Sequence, residues 1–145
     1  MFFSVGVETP QDGNTAWGLI VPALCNDEYG CFSAADDKRS IAPAVREAIL
    51  ITLEAMLQND RYDIANLVDE GYLSYAEQEA YRDYDSWFVI DVDLSAFEGR
   101  QQRINVALPD TLIKRIDNRV KESPDRYRDR SHFLALAARH ELVNS

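Results

Sequence analysis

Gln102-Arg103-Ile104-Asn105-Val106-Ala107-Leu108-Pro109 is one alternating run, stopped by a residue that cannot donate to a β-ladder. On the strand it predicts, Ile104, Val106 and Leu108 point one way, while Arg103, Asn105 and Ala107 point the other. Asp110 follows and opens a helix with Leu112, Ile113, Ile116 and Val120 on its apolar face. A polar loop, Ser123-Pro124-Asp125-Arg126-Tyr127-Arg128-Asp129-Arg130, breaks that helix. Ser131 is the expected N-cap of a last helix carrying Phe133, Leu134, Ala137, Ala138 and Leu142. One strand and two helices cannot close a fold, because the strand lacks a partner and the apolar face buries too little surface. Two chains donating one strand each would give an antiparallel ribbon braced by four helices. Dimerisation would then be part of folding.

Such a ribbon fits the major groove of B-DNA with its polar face toward base edges. Arg103 can donate twice to guanine, Asn105 can pair bidentately with adenine, and Ala107 is small enough to meet a thymine methyl. At the start of the last helix, Ser131 and His132 would offer backbone N–H groups to a phosphate, with Arg126, Arg128 and Arg130 adding positive charge beside them. A purely dimerising ribbon is the competing reading. Through the strand-Pro pattern and the helix opening Arg130-Ser131-His132-Phe133-Leu134, residues 101–142 resemble the ribbon-helix-helix repressors.

Charge divides the chain at the same place. Residues 1–99 hold 5 Lys and Arg against 19 Asp and Glu, a net of −14, whereas residues 100–145 hold 10 against 6, a net of +4. A basic tail can approach nucleic acid and a strongly acidic body is repelled by it, so the two parts should face different partners. The apolar fraction of 46% suits a folded protein. No run is long enough to span a bilayer, and the N-terminus lacks the features of a signal peptide, so a cytoplasmic location is expected. Cys25 and Cys31 should then be reduced thiols, and with His132 and His140 far away in the tail no metal or other cofactor is expected.

Phe2 to Val7 and Ala16 to Val21 read as a hairpin, and Cys31 to Ala34 as a third strand beyond the polar insertion Asn26-Asp27-Glu28-Tyr29-Gly30. Ser40 is the expected N-cap of a helix striped with Val45, Ala48, Ile49, Leu53, Met56 and Leu57. Leu50 and Ile51 widen the stripe, so this helix is buried on two sides or covered in part by another chain. Between residues 60 and 84, Asp63 should cap a short helix stopping at Gly71, and Ser74 with Glu77 should form a capping box. The tyrosines there, Tyr62, Tyr72, Tyr75, Tyr81 and Tyr84, suit either an interface or an insertion packed on its own sheet. Ser86 to Leu94 is the last strand of the region. The chain is thus expected to be α+β, a small antiparallel sheet with helices on one face followed by a dimeric ribbon-helix-helix domain. Its divisions are residues 1–95, a linker at 96–100, and residues 101–145.

Three segments of the first domain, Gly18-Leu19-Ile20-Val21-Pro22-Ala23-Leu24, Gly30-Cys31-Phe32-Ser33-Ala34-Ala35-Asp36 and Ala44-Val45-Arg46-Glu47-Ala48-Ile49, resemble the HicB antitoxin family. The chain departs from that pattern by inserting Cys25 to Tyr29, by placing Ala35 where a glycine is usual, and by a longer stretch at 60–84. The resemblance implies a partial ribonuclease-H-like domain that inhibits HicA, a small basic messenger-RNA-cleaving toxin, and a tail that represses the operon encoding both. Asp27, Glu28, Tyr29, Tyr72 and Tyr75 are the candidate toxin contacts.

Two other classes compete. An enzyme could hold metal with Asp91 and Asp93, but no further acidic ligand is identifiable and the first domain has no histidine to act as a base. A catalytically inactive domain is expected. The alternative to an antitoxin is a ribbon-helix-helix repressor whose first domain senses a small ligand, though no phosphate loop or cofactor fingerprint is present.

Overall fold

A computed structural model describes residues 1–59, 61–99 and 102–144. The chain divides into two compact units, Met1–Gly99 and Arg100–Ser145. In the first, strands β1 (Phe2–Glu8), β2 (Trp17–Ile20), β3 (Phe32–Ala35) and β4 (Ser86–Asp91) form one antiparallel sheet in the order β3-β2-β1-β4. The predicted hairpin is present as β1 and β2, and the third strand is present one residue further along.

The period of two along β1 sorts its side chains between two layers. Phe3, Val5 and Val7 point with Leu19 and Ile90 toward α1 (Ile41–Leu57), whose inner stripe is Val45, Ile49, Thr52, Leu53 and Met56. Burying these side chains contributes roughly 1.5–3 kcal/mol each before chain entropy is counted. Ile51 is exposed, so α1 is amphipathic rather than buried on two sides. Ser40 does not cap α1 through its side chain. Its backbone is already helical, at φ −83° and ψ −8°, rather than extended as a capping serine requires, and its hydroxyl and amide donate to Asp37 Oδ1, both at 2.9 Å.

The other face of the sheet is covered in part, around Ser4 and Gly6, while Phe2 and Val89 on it stay exposed. Ser4 is buried there, and Asp69 accepts from both its amide and its hydroxyl at 2.7 Å. Gly6 lies under Trp87 and Tyr84, and a Cβ at Gly6 would stand 2.9 Å from the Trp87 ring and from the Ile20 side chain. Tyr75 stacks on Trp87 at 6.2 Å, and Tyr81 and Tyr84 meet the same ring edge-on. Helices were expected on one face; α1 keeps to it, while α2 (Tyr72–Ala76) and the tyrosines cover part of the opposite one.

Two expectations for this segment are corrected. Asp63 caps only a 3-10 turn, Ile64–Asn66, and Gly71, at φ 90°, opens α2 rather than ending a helix. Ser74 lies inside α2 with Glu77 at its C-terminal end, so they form no capping box. A five-residue helix has no room for a cap at its third position. The Asp69 and Gly71 contacts set where it begins.

The second unit holds α3 (Asp110–Glu122) and α4 (Arg130–Asn144). Ile116 and Tyr127 are buried, with the Phe133 ring 5.0 Å from that of Tyr127. Over residues 102–109 there is neither strand nor helix. The expected strand is absent from the single chain because a ladder needs a partner, and no described segment supplies one.

Candidate DNA and partner surfaces

Arg103, Asn105 and Ala107 are exposed, as a base-reading face requires. So are the apolar residues that alternate with them: Ile104 is 73% exposed and Val106 59%. Leu112 and Leu142 add to this uncovered apolar surface. A soluble domain rarely leaves so much of a small core open unless another chain covers it.

The N-terminus of α4 is organised differently from its expectation. Asp129, not Ser131, caps it: the His132 amide donates to Asp129 Oδ1 at 2.8 Å, and the Phe133 amide to the Asp129 carbonyl at 3.1 Å. His132 in turn accepts the Arg128 amide at Nδ1, 3.0 Å away. Serine and aspartate are both good caps, and here the aspartate two positions earlier reaches the third helical amide. Arg130 donates through two guanidinium nitrogens to Asp117, at 3.0 and 2.8 Å, joining α4 to α3. That fork holds the Asp117 carboxyl below its ordinary pKa. Arg130 is therefore engaged within the unit, and the His132 amide is already bonded to a carboxylate. Arg126 lies against the Tyr127 ring at 5.2 Å, and Arg128 approaches Asp129 at 3.7 Å. Both, with Ser131, stay on the surface.

In the first unit the 26–29 insertion is tied down by its own residues. Asn26 Oδ1 accepts from the Glu28 and Tyr29 amides at 2.8 and 2.9 Å. Glu28 pairs with Arg61, and Tyr29 meets Tyr62 edge-on at 5.2 Å. Asp27 is exposed. Tyr72 is exposed. Tyr75 is only 5% exposed, its hydroxyl accepts the Glu70 amide at 3.0 Å, and burial raises its pKa. Tyr75 is a packing residue, a correction that follows from its stacking on Trp87.

The carboxylates considered for metal do not converge. Asp91 accepts from the Met1 amine at 3.2 Å, whereas Asp93 lies beyond β4 and accepts from the Ser95 amide at 3.0 Å. No group of three or more metal-ligating side chains occurs among the described residues. Cys25 and Cys31 are free thiols, the first donating to the Val21 carbonyl at 3.3 Å; burial pushes Cys31 to a pKa of about 11. An open groove of about 380 Å³ is lined by Val7, Trp17, Lys38 and Phe88, among others. Its shallowness leaves a small molecule largely in water. No helix among the described residues is long and apolar enough to cross a membrane.

Sequence reasoning missed Asp69, Asp85, Asp117 and Asp129. Asp85 accepts from the Thr9 amide and hydroxyl at 2.8 and 2.7 Å, a second tie of the kind Asp69 makes with Ser4. Only Asp129 left a local signal, as a capping residue just ahead of an apolar helix.

Taken together, the chain is a two-part α+β protein, an acidic sheet unit followed by a basic two-helix unit with an uncovered apolar face. Comparison with known proteins gives this class a family. Residues 3–138 match the HicB-like antitoxin of bacterial toxin–antitoxin systems. The chain is 32% identical, over 146 residues and the whole of both chains, to an uncharacterised 14.9 kDa protein of the rep–hol intergenic region of Haemophilus phage HP1 (strain HP1c1). The crystal structure of the Burkholderia pseudomallei antitoxin HicB matches at a TM-score of 0.53 and 26% identity, over 98% of each chain. This chain belongs to the HicB-like antitoxin family.

Proposed function

We propose that the acidic unit binds and neutralises a small basic toxin of the HicA type, and that the basic unit, paired with a second copy, represses the operon encoding both. The observation that carries the reading is the uncovered stretch 102–108, which presents Ile104 and Val106 to solvent without a ladder partner. A second copy crossing antiparallel would pair its backbone and bury those side chains against α3 and α4. Arg103, Asn105 and Ala107 would then lie on the outer face of a ribbon of groove-filling width. Arg126, Arg128 and Ser131, all on the surface, are the groups placed to meet flanking phosphates, Arg128 by exchanging its long contact with Asp129, while Arg130 and the His132 amide act through the fold they hold together. A net charge of −14 on residues 1–99 suits a basic partner and speeds its encounter. The family supports the toxin partner.

The test is a gel shift of the full chain on its own promoter DNA, with sedimentation of the same sample. A dimer that binds the promoter is expected. Arg103→Ala should lose about 1–3 kcal/mol of affinity and discriminate less between sequences. Binding by a monomer, or binding indifferent to Arg103 and to salt, would end the DNA-reading proposal. The family's toxin partner would stand apart from that result.

A further inference from the structure

The first unit gathers exposed apolar side chains around one point, where Asp69 takes both donors of Ser4. Val89 is the direct cross-strand partner of Ser4, and Phe2 lies two residues along β1 on the same face; both are exposed. Such neighbours stand roughly 5–7 Å apart. Val68 precedes the docked Asp69, and Leu73 sits at the start of α2; each is 68% exposed. Of the unit's other large exposed apolar residues, Tyr72 adjoins Leu73 on α2, Phe32 lies two strands away on β3, and Ile51 belongs to α1 on the opposite face. Isolated apolar residues on a surface are ordinary, but a group of this size on one face calls for a cover.

Charge selects the cover. Residues 68–91 contain seven carboxylates and one basic residue, Arg82, which is already paired with Glu79. A second copy of this acidic unit would be repelled, whereas an apolar surface rimmed with Lys or Arg would be complementary. β4 is moreover an edge strand, with only β1 beside it. We propose that Phe2, Val68, Leu73 and Val89 form the centre of the surface on which the basic toxin docks, and that Glu70, Glu77 and Asp83 form its rim. This rests on the toxin-neutralising reading and moves its contact surface away from the 26–29 insertion, whose Glu28 and Tyr29 are occupied internally.

Titration calorimetry tests it, using the full chain and the separately purified product of the adjacent reading frame. The double substitution Val68→Asp with Leu73→Asp adds negative charge while removing the apolar centre, so electrostatics alone would leave binding unchanged or tighter. The expected result is a dissociation constant raised about 100-fold, with an unaltered circular dichroism melt, while Ile51→Asp binds as the unsubstituted chain does. Equal binding by the double variant, or equal weakening by Ile51→Asp, overturns the surface and leaves the toxin reading intact. If the unsubstituted chain forms no complex, both fall together. A double variant that changes only the sedimentation of the chain by itself would show the patch to be a contact between copies, which also overturns the proposal.

Discussion

The two units solve the same problem by opposite means. In Met1–Gly99 a seven-residue central strand is paired on both edges and buried from Phe3 to Val7, with only its ends exposed. Every polar group it buries finds a partner nearby, as Ser4 does in Asp69. In the tail, α3 and α4 share a small core around Ile116 and Tyr127 but leave Ile104, Val106 and Leu142 in water. The difference teaches that completeness can be assigned region by region within one chain. One unit's stability belongs to its own sequence. The other's, under the pairing proposed above, belongs to the concentration of its copies.

That contrast can be broken most severely at Val106. Val106→Asp places a charge where the pairing buries a side chain, and should weaken self-association by about 1,000-fold, roughly 4 kcal/mol. Sedimentation equilibrium measures it, and the first unit's melt should not move. Next, Leu53→Ala empties a fully buried site of the first unit and should cost about 2–5 kcal/mol. Its denaturation midpoint should be the same at every protein concentration; a concentration-dependent midpoint would erase the distinction between the units. Gly6→Ala forces a methyl against Trp87, Tyr84 and Ile20 and should cost about 1–3 kcal/mol. Asp129→Ala removes the cap of α4 and should lower tail stability by about 1 kcal/mol, read as loss of helical ellipticity on dilution.

The last effect is one of pH and is confined to alkaline solution. Burial raises the Cys31 thiol from an ordinary value near 9 to about 11. The unfolded chain therefore ionises first as pH climbs. The stability associated with this thiol is complete below about pH 9 and is lost progressively toward pH 11. Cys31→Ser should flatten that alkaline decline in the first unit.

How far the sequence could be read follows from the range of the interactions. Alternation placed β1, β2 and β4 within a residue or three of their bounds, and the helical stripe found α1, because both are periodic signals carried by neighbours. The failures lie where distance along the chain is large or where two residue types compete. Nothing near Asp69 or Asp85 says that their partners are 65 and 76 residues away. Tyr75 reads as an interface residue until Trp87 is seen beneath it. At α4 two good caps stand two positions apart, and geometry chose Asp129 over Ser131. Of the candidate contacts, Arg103, Asn105 and Ala107 are exposed together with Ile104 and Val106, so alternation does not sort two faces in the single chain, and the Asp117–Arg130 fork left no local signal.

The register of the sheet also sets a timetable. β1 is the second strand in from an edge, yet its neighbour on one side runs from Phe2 opposite Asp91 to Val7 opposite Ser86. At about 5–20 residues per second of synthesis, β1 waits on the order of 4–17 s for that strand to emerge. Meanwhile β1, β2 and β3 can form a meander on α1 whose β1 margin is still raw. A nascent chain stalled before Ser86 would expose that margin to its ribosomal neighbours, which makes the stretch from α1 to β4 the interval in which a holdase has something to shield.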